Sequence, residues 1–149
     1  RRFWKIQRDV KHRGYTIEKV IEQIDKRMKD FKEYIKPQSD NSDFIIKFYT
    51  DKEFDYTNLD KEPNIYLNLT IKNNSKSMID YLNILTSNKI IFKYSNNNGE
   101  CILNFDYVTE NFNNVLNTII LNYNVNFNFK NHDVSYYTII LSLIIYLVQ

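Results

Sequence analysis

Lys5-Ile6-Gln7-Arg8-Asp9-Val10-Lys11-His12-Arg13-Gly14-Tyr15-Thr16 is the stretch on which the reading of this 149-residue chain turns. Residues 1–12 read as a helix, and Gly14 stops it, because glycine takes a left-handed helix-end conformation without steric cost. Lys5 and Arg8 are three residues apart and share a helix face. Arg1 lies on the same side further back, and Arg13 stands at the helix end. Asp9, one turn from Lys5, can orient one of the neighbouring cations. Three or four cations on a rigid support suit a multiply charged phosphate, lysine acting as a point charge and arginine as a planar fork. Phosphoryl transfer uses this arrangement, since charge stabilisation and positioning carry most of it.

Outward from that stretch, Thr16 is an N-cap for a second helix. Ile17, Val20, Ile21, Ile24, Met28 and Phe31 then recur at the spacing of one buried face. Glu18 lies early and Lys26 and Arg27 late, as the helix dipole favours. Tyr34-Ile35 leads to Pro37, which ends the helical part. Beyond it the composition shifts. Residues 1–36 hold 12 Lys/Arg against 6 Asp/Glu, and the remainder holds 8 against 12. A basic helical segment, attractive to anions, is therefore followed by an acidic, Asn-rich and strand-rich one.

In that second segment Phe44–Tyr49 reads as a strand. Ile65, Leu67, Leu69 and Ile71 alternate with polar residues as a second. Lys89–Tyr94 and Ile102–Val108 read as two more, joined by a turn over Ser95–Gly99. Phe112, Val115, Leu116, Ile119, Ile120 and Tyr123 have helical spacing, with Thr109 or Asn111 as cap. Val125, Phe127 and Phe129 alternate with Asn124, Asn126 and Asn128 as a short strand or loop. Asp133 is a candidate cap for a terminal helix from about Ser135. Thr138–Val148 is nearly all apolar but too short for a bilayer span, which takes about 20 residues. It reads as a buried helix or strand.

Composition excludes several chemistries. Hydrophobic residues are 43% and aromatics 15%, so the chain is globular. Gly14 and Gly99 are the only glycines, so neither a GxxxxGK[ST] phosphate loop nor a dinucleotide loop exists in this sequence. Cys101 is the single cysteine; it allows no internal disulfide or Cys-based zinc site and reads as a small core residue. His12 and His132 are too far apart to suggest a metal site, and His132-Asp133 reads as a loop pair rather than a dyad. The basic helix with Phe3, Trp4 and Tyr15 lacks any nucleic-acid-binding motif, and no membrane segment is present. The chain opens in what reads as mid-helix, so the expectation is a segment whose first part lies upstream of Arg1.

As a whole string the first 38 residues resemble the phosphoribulokinase/uridine kinase family. Lys5-Ile6-Gln7-Arg8-Asp9, Arg13-Gly14-Tyr15, Glu18, Ile24, Arg27, Asp30-Phe31 and Tyr34-Ile35-Lys36-Pro37-Gln38 carry the resemblance. The K-x-x-R-D-x-x-x-R-G run with its Y-I-x-P-Q ending looks like the phosphoribulokinase branch. A uridine kinase-like sugar or nucleoside kinase, or a non-catalytic domain binding a phosphorylated ligand or a partner, are the alternatives.

The resemblance implies an α/β fold: the C-terminal portion of a doubly wound P-loop kinase, with two N-terminal helices followed by a mixed or antiparallel sheet and one or two further helices. Residues 1–38 would be the lid and helical part, and 39–149 the strand-rich part of the same domain. The implied activity is ATP-dependent phosphorylation of D-ribulose 5-phosphate to ribulose 1,5-bisphosphate, in carbon fixation. Lys5 and Arg8 would be catalytic, meeting the transferring phosphoryl group or ATP phosphates. Arg13 would bind the sugar phosphate. Arg27, Arg1 and Arg2 would contact an effector or ATP. ATP and Mg would be held mainly by an upstream part bearing the P-loop, leaving this chain alone inactive. The resemblance further implies a homodimer or larger homo-oligomer, with no nucleic-acid or membrane partner. It places the protein in the cytoplasm, or in the plastid stroma if algal.

Overall fold

The computed structural model describes residues 2–50, 58–61, 63–72, 78–97, 99–125 and 135–148. Arg1, His132, Asp133 and the Asn126–Phe129 alternation lie outside the described residues. Two compact units emerge: residues 1–42 with 50–64, and residues 43–49 with 65–149.

The first unit is helical. Helix α1 spans Arg2–Arg13 and α2 spans Ile17–Lys26. Between them Gly14 has φ +68°, which glycine adopts freely. The Thr16 hydroxyl accepts from the Lys19 N–H at 3.3 Å and starts α2. Phe3 and Ile6 of α1 and Val20 of α2 are buried. The run past Arg27 departs from expectation. A short α3 (Met28–Asp30) passes into a π turn over Phe31–Ile35 and a 3-10 segment over Lys36–Asn41 that contains Pro37. Met28 and Phe31, expected on a buried face, are exposed. Their periodicity marks a face suited to burial, but burial also needs a neighbour. α1 packs on α2, and no residue from Met28 to Asn41 is buried.

The second unit holds a four-stranded antiparallel sheet of order β1-β2-β4-β3. The strands are β1 Phe44–Tyr49, β2 Tyr66–Lys72, β3 Lys93–Asn97 and β4 Glu100–Phe105. Register places Ile46 opposite Leu69, Leu69 opposite Leu103, and Leu103 opposite Tyr94. This row faces one side, because directly opposed residues share a face. Leu67, Leu69, Ile71, Cys101, Leu103 and Phe105 are buried on it. The same core takes in side chains of α4 (Met78–Ser87), α5 (Asn111–Asn122) and α6 (Tyr136–Leu147). On the other face Asn68 donates to Asn104 at 2.8 Å.

The sheet is antiparallel throughout the described residues, and three helices accompany it rather than one or two. Helix α4 was absent from the expectation, although Met78, Tyr81, Leu82 and Leu85 have helical spacing. Its ending explains a second correction. The Ile90 N–H bonds to Leu85 O and the Lys89 N–H to Thr86 O, with Lys89 at φ +57°. This Schellman closure consumes the residues expected to open a strand at Lys89. β3 therefore starts at Lys93 and runs through Asn97, and β4 opens at Glu100, so the strands take up part of the expected Ser95–Gly99 turn; Gly99 has φ +83°. β4 likewise ends at Phe105 rather than Val108. Helix α5 is closed the same way, with Val125 N–H on Ile120 O and Asn124 at φ +49°.

At the N-terminus of α5 the Thr109 hydroxyl accepts from the Asn111 N–H. For α6 it is Ser135 whose hydroxyl accepts, from Tyr137 N–H at 3.3 Å. The apolar Thr138–Val148 stretch lies in and just past this helix. Tyr81 and Ser142 join hydroxyls at 2.9 Å, and Ser142 donates on to Ile139 O at 2.8 Å, satisfying polar groups within the core. Among the described residues no helix is long and apolar enough to cross a membrane.

Candidate functional site

Helix geometry brings the cations of the first unit to one point. Asp9 lies one turn after Lys5 and one turn before Arg13, and beside Arg8 in sequence. Lys5 Nζ reaches Asp9 Oδ2 at 2.6 Å, Arg8 Nε reaches Oδ1 at 2.8 Å, and Arg13 Nη1 reaches Oδ1 at 3.2 Å. The carboxylate side chain is only 1% exposed, whereas those of Arg8 and Arg13 are 53% and 54% exposed. An almost inaccessible anion thus anchors cations whose far sides remain open to water. Hydrogen bonds from Arg8 and then Lys5 are the main causes that lower the Asp9 carboxyl from 3.8 to about 2. The group is ionised at any physiological pH.

Backbone geometry reinforces the junction. The Tyr15 N–H donates to Asp9 O at 3.1 Å, closing the end of α1 over Gly14. Lys19 Nζ stands 4.9 Å from the centre of the Tyr15 ring. On other positions of α1, Gln7 donates to Leu59 O at 2.7 Å and Lys11 pairs with Asp60. These contacts hold the helix without using Lys5, Arg8 or Arg13.

Three positive side chains share one negative charge, so the cluster keeps an excess of two. Such a rigid cationic point attracts a phosphate and can stabilise charge that grows on phosphoryl oxygens. It does not suit a metal ion. Both oxygens of Asp9 are taken by cations, and among the described residues no group of three His, Cys, Asp or Glu side chains could hold one.

The other candidate residues lie elsewhere. Arg2 pairs with Asp25 at 3.5 Å and ties α1 to α2. Arg27 sits at the junction of α2 and α3, away from the Asp9 contacts. Arg1 lies outside the described residues. His12 is exposed in the last turn of α1. Cys101 is buried in the sheet, as expected of a core residue. Sequence reasoning gave Asp9 one partner; the structure gives it three. The missing signal was readable, because positions 5, 9 and 13 form a single i, i+4 ladder.

Comparison with known proteins supports the same segment. Residues 1–55 match the model of the Phosphoribulokinase / Uridine kinase family. The chain is 46% identical over 44 residues to the chloroplastic phosphoribulokinase of Spinacia oleracea. It is equally similar over 44 residues to phosphoribulokinases of Synechocystis sp. and Chlamydomonas reinhardtii. Each match covers 30% of this chain and 11%, 13% and 12% of the three relatives. The chain therefore spans a small part of the length of the curated relatives it matches. No solved structure matches.

Proposed function

We propose, from residues 1–55 as a phosphoribulokinase/uridine kinase family segment, that this chain supplies the phosphate-gripping lid of a kinase that phosphorylates ribulose 5-phosphate. The observation that carries this reading is the convergence of Lys5, Arg8 and Arg13 on buried Asp9, on the R-D-x-x-x-R-G string.

The overall reaction moves the ATP γ-phosphoryl group to the 1-hydroxyl of the sugar phosphate. A phosphorus–oxygen bond forms to that hydroxyl oxygen, the bridging bond to ADP breaks, and the hydroxyl proton leaves with a base. The sequence holds no phosphate loop, and within this reading ATP, Mg and the base are held mainly by a part of the enzyme that bears one. Within this reading, Lys5 and Arg8 neutralise charge on the moving phosphoryl oxygens, and Arg13 holds the 5-phosphate of the acceptor. Arg1, Arg2 and Arg27 serve an effector or ATP. Residues 1–38 act as lid and helical part and 39–149 as a strand-rich extension. Among the described residues no strand pairs with the outer edges of β1 and β3, and such edges offer pairing to a second copy, which supports a homodimeric or larger assembly.

The family description also admits uridine kinases, whereas the curated matches carry the phosphoribulokinase name. A complete kinase carrying this segment, incubated with ATP and either ribulose 5-phosphate or uridine, separates the two. Phosphorylation of ribulose 5-phosphate with release of ADP is the expected result. Turnover of uridine alone transfers the reading to nucleoside kinases, and turnover of neither leaves a phosphate-binding domain without catalysis.

A further inference from the structure

The connection between β1 and β2 is longer than the strands require. Register sets Tyr49 opposite Tyr66, so the strand ends are already side by side, and about two to five residues commonly close such a hairpin. Here the chain spends residues 50–65, sixteen in all, between Tyr49 and Tyr66. Connections beyond about 12–15 residues are uncommon and often carry function. Residues 50–64 belong to the helical first unit, and their described part touches α1. Asn58–Lys61 is a tight turn: the Asp60 N–H donates to Asn58 Oδ1 at 3.2 Å and the Lys61 N–H to Asn58 O at 3.4 Å. From this turn the Leu59 carbonyl accepts from Gln7 Nε2 at 2.7 Å, and Asp60 pairs with Lys11.

Gln7 and Lys11 are one turn apart on α1, as Lys5, Asp9 and Arg13 are. The two sets stand two residues out of step, which is about 200° round a helix. The turn therefore holds the side of α1 opposite the ladder of Lys5, Asp9 and Arg13. Elsewhere α2 packs on α1, and Arg2 pairs with Asp25. The three ion pairs at Asp9 lie within α1 itself. They fix the cations relative to one another, whereas α2 and the Asn58–Lys61 turn place the helix as a body. Within the turn, half-buried Gln7 bonds a backbone carbonyl and so specifies position more narrowly than the Lys11–Asp60 pair, where the Asp60 side chain is 87% exposed.

We infer that Leu59 and Asp60 form a strap that holds α1 in place for phosphoryl transfer, with Gln7 and Lys11 as its positioning residues. The inference rests on the proposed kinase role, and its test separates the two. In a complete kinase carrying this segment, Gln7→Glu sets a carboxylate against the Leu59 carbonyl, and Asp60→Lys sets two ammonium groups together. One helix carries Arg13 as well as Lys5 and Arg8. Each variant is therefore expected to raise the KM for ribulose 5-phosphate and to lower kcat, with kcat/KM down roughly tenfold or more. A merely destabilised enzyme has fewer active molecules, so its kcat falls with KM unmoved. Adding Lys11→Glu to Asp60→Lys restores the pair with its signs exchanged and is expected to return most of the lost kcat/KM. In the 149-residue chain, amide hydrogen exchange of α1 is expected to quicken in Asp60→Lys and to slow again in the double exchange of charge.

Unchanged kcat/KM in Gln7→Glu and Asp60→Lys, a fall in kcat alone, or a double variant no better than Asp60→Lys overturns the strap. So does exchange of the α1 amides that is the same in every variant. If the unsubstituted kinase turns over no ribulose 5-phosphate, the catalytic reading falls, and the strap stands or falls on the exchange of α1 alone.

Discussion

Arg13 Nη1 lies 3.2 Å from Asp9 Oδ1, so the last cation of α1 is drawn back along the helix to the carboxylate that already holds Lys5 and Arg8. The helix ends at Gly14 immediately after it. A flexible guanidinium at a helix terminus is thereby fixed relative to two others. Positioning of this kind matters because misplacement by about 1 Å can cost roughly 10²-fold in rate.

Replacing Asp9 by Asn removes the anion but keeps the shape. In a complete kinase carrying this segment, kcat/KM for ribulose 5-phosphate is expected to fall roughly 10²-fold or more. Steady-state kinetics check it. Parental kcat/KM would show that the three cations need no common anchor.

Arg13 and Arg8 are expected to fail differently. Arg13→Ala should raise the KM for the sugar phosphate far more than that for ATP, because it removes binding common to ground and transition states. Arg8→Ala should lower kcat roughly 10²-fold, the usual cost of losing one donor to developing charge. An Arg13→Ala enzyme with an unchanged sugar KM would place that residue outside the acceptor site.

Acid should dissolve the cluster over a defined window. The Asp9 carboxyl titrates near 3.8 when unperturbed and near 2 in the folded chain. Its folded value is depressed, so the unfolded chain binds the proton first as pH falls. The contribution to stability is present above pH 3.8 and is lost on the way down to pH 2. Carboxyl carbon NMR of Asp9, compared with Asp9→Asn melting curves across this range, measures it. A normal titration midpoint would mean that the three ion pairs do not persist in solution.

The second unit should weaken in alkali. Desolvation pushes the Tyr136 and Tyr146 phenols up from 10.0 to about 12 and raises that of Tyr81 further. These folded values lie above the unfolded one, so stability is complete below pH 10 and declines as pH rises beyond it. Thermal melts with phenolate absorbance are expected to show this loss. Tyr81→Phe should itself cost about 1 kcal/mol by deleting the bond to Ser142, and it should reduce the alkaline loss. A variant with the same alkaline profile would remove Tyr81 from the effect.

The turn after α1 can be tested separately. Gly14 has φ +68° and open space around an added Cβ. Gly14→Ala is therefore expected to cost about 1–2 kcal/mol from backbone strain alone, read by denaturant unfolding of the first unit. An unaffected midpoint would imply that the chain can leave the helix by another conformation.

Local chemistry was legible in the residues themselves. The Gly14 stop, the Thr16 cap, the alternation of β2 and the string from Lys5 to Gly14 all depend on neighbours within a few positions. A linear pattern therefore suffices to locate them. The same holds for the absence of a phosphate loop, which glycine scarcity alone dictates. Other features needed the third dimension. Lys89 and Asn124 close helices in the left-handed conformation, which those residue types seldom announce, so β3 begins later than its apolar residues suggest. The antiparallel order β1-β2-β4-β3 follows from which strands meet, a choice made by packing across distant segments. Met28 and Phe31 show a face suited to burial, yet only the arrangement of neighbours decides whether water is excluded from it. At Asp9 the sequence placed one acid among several bases; the fold withdrew that acid from solvent and turned three cations onto it.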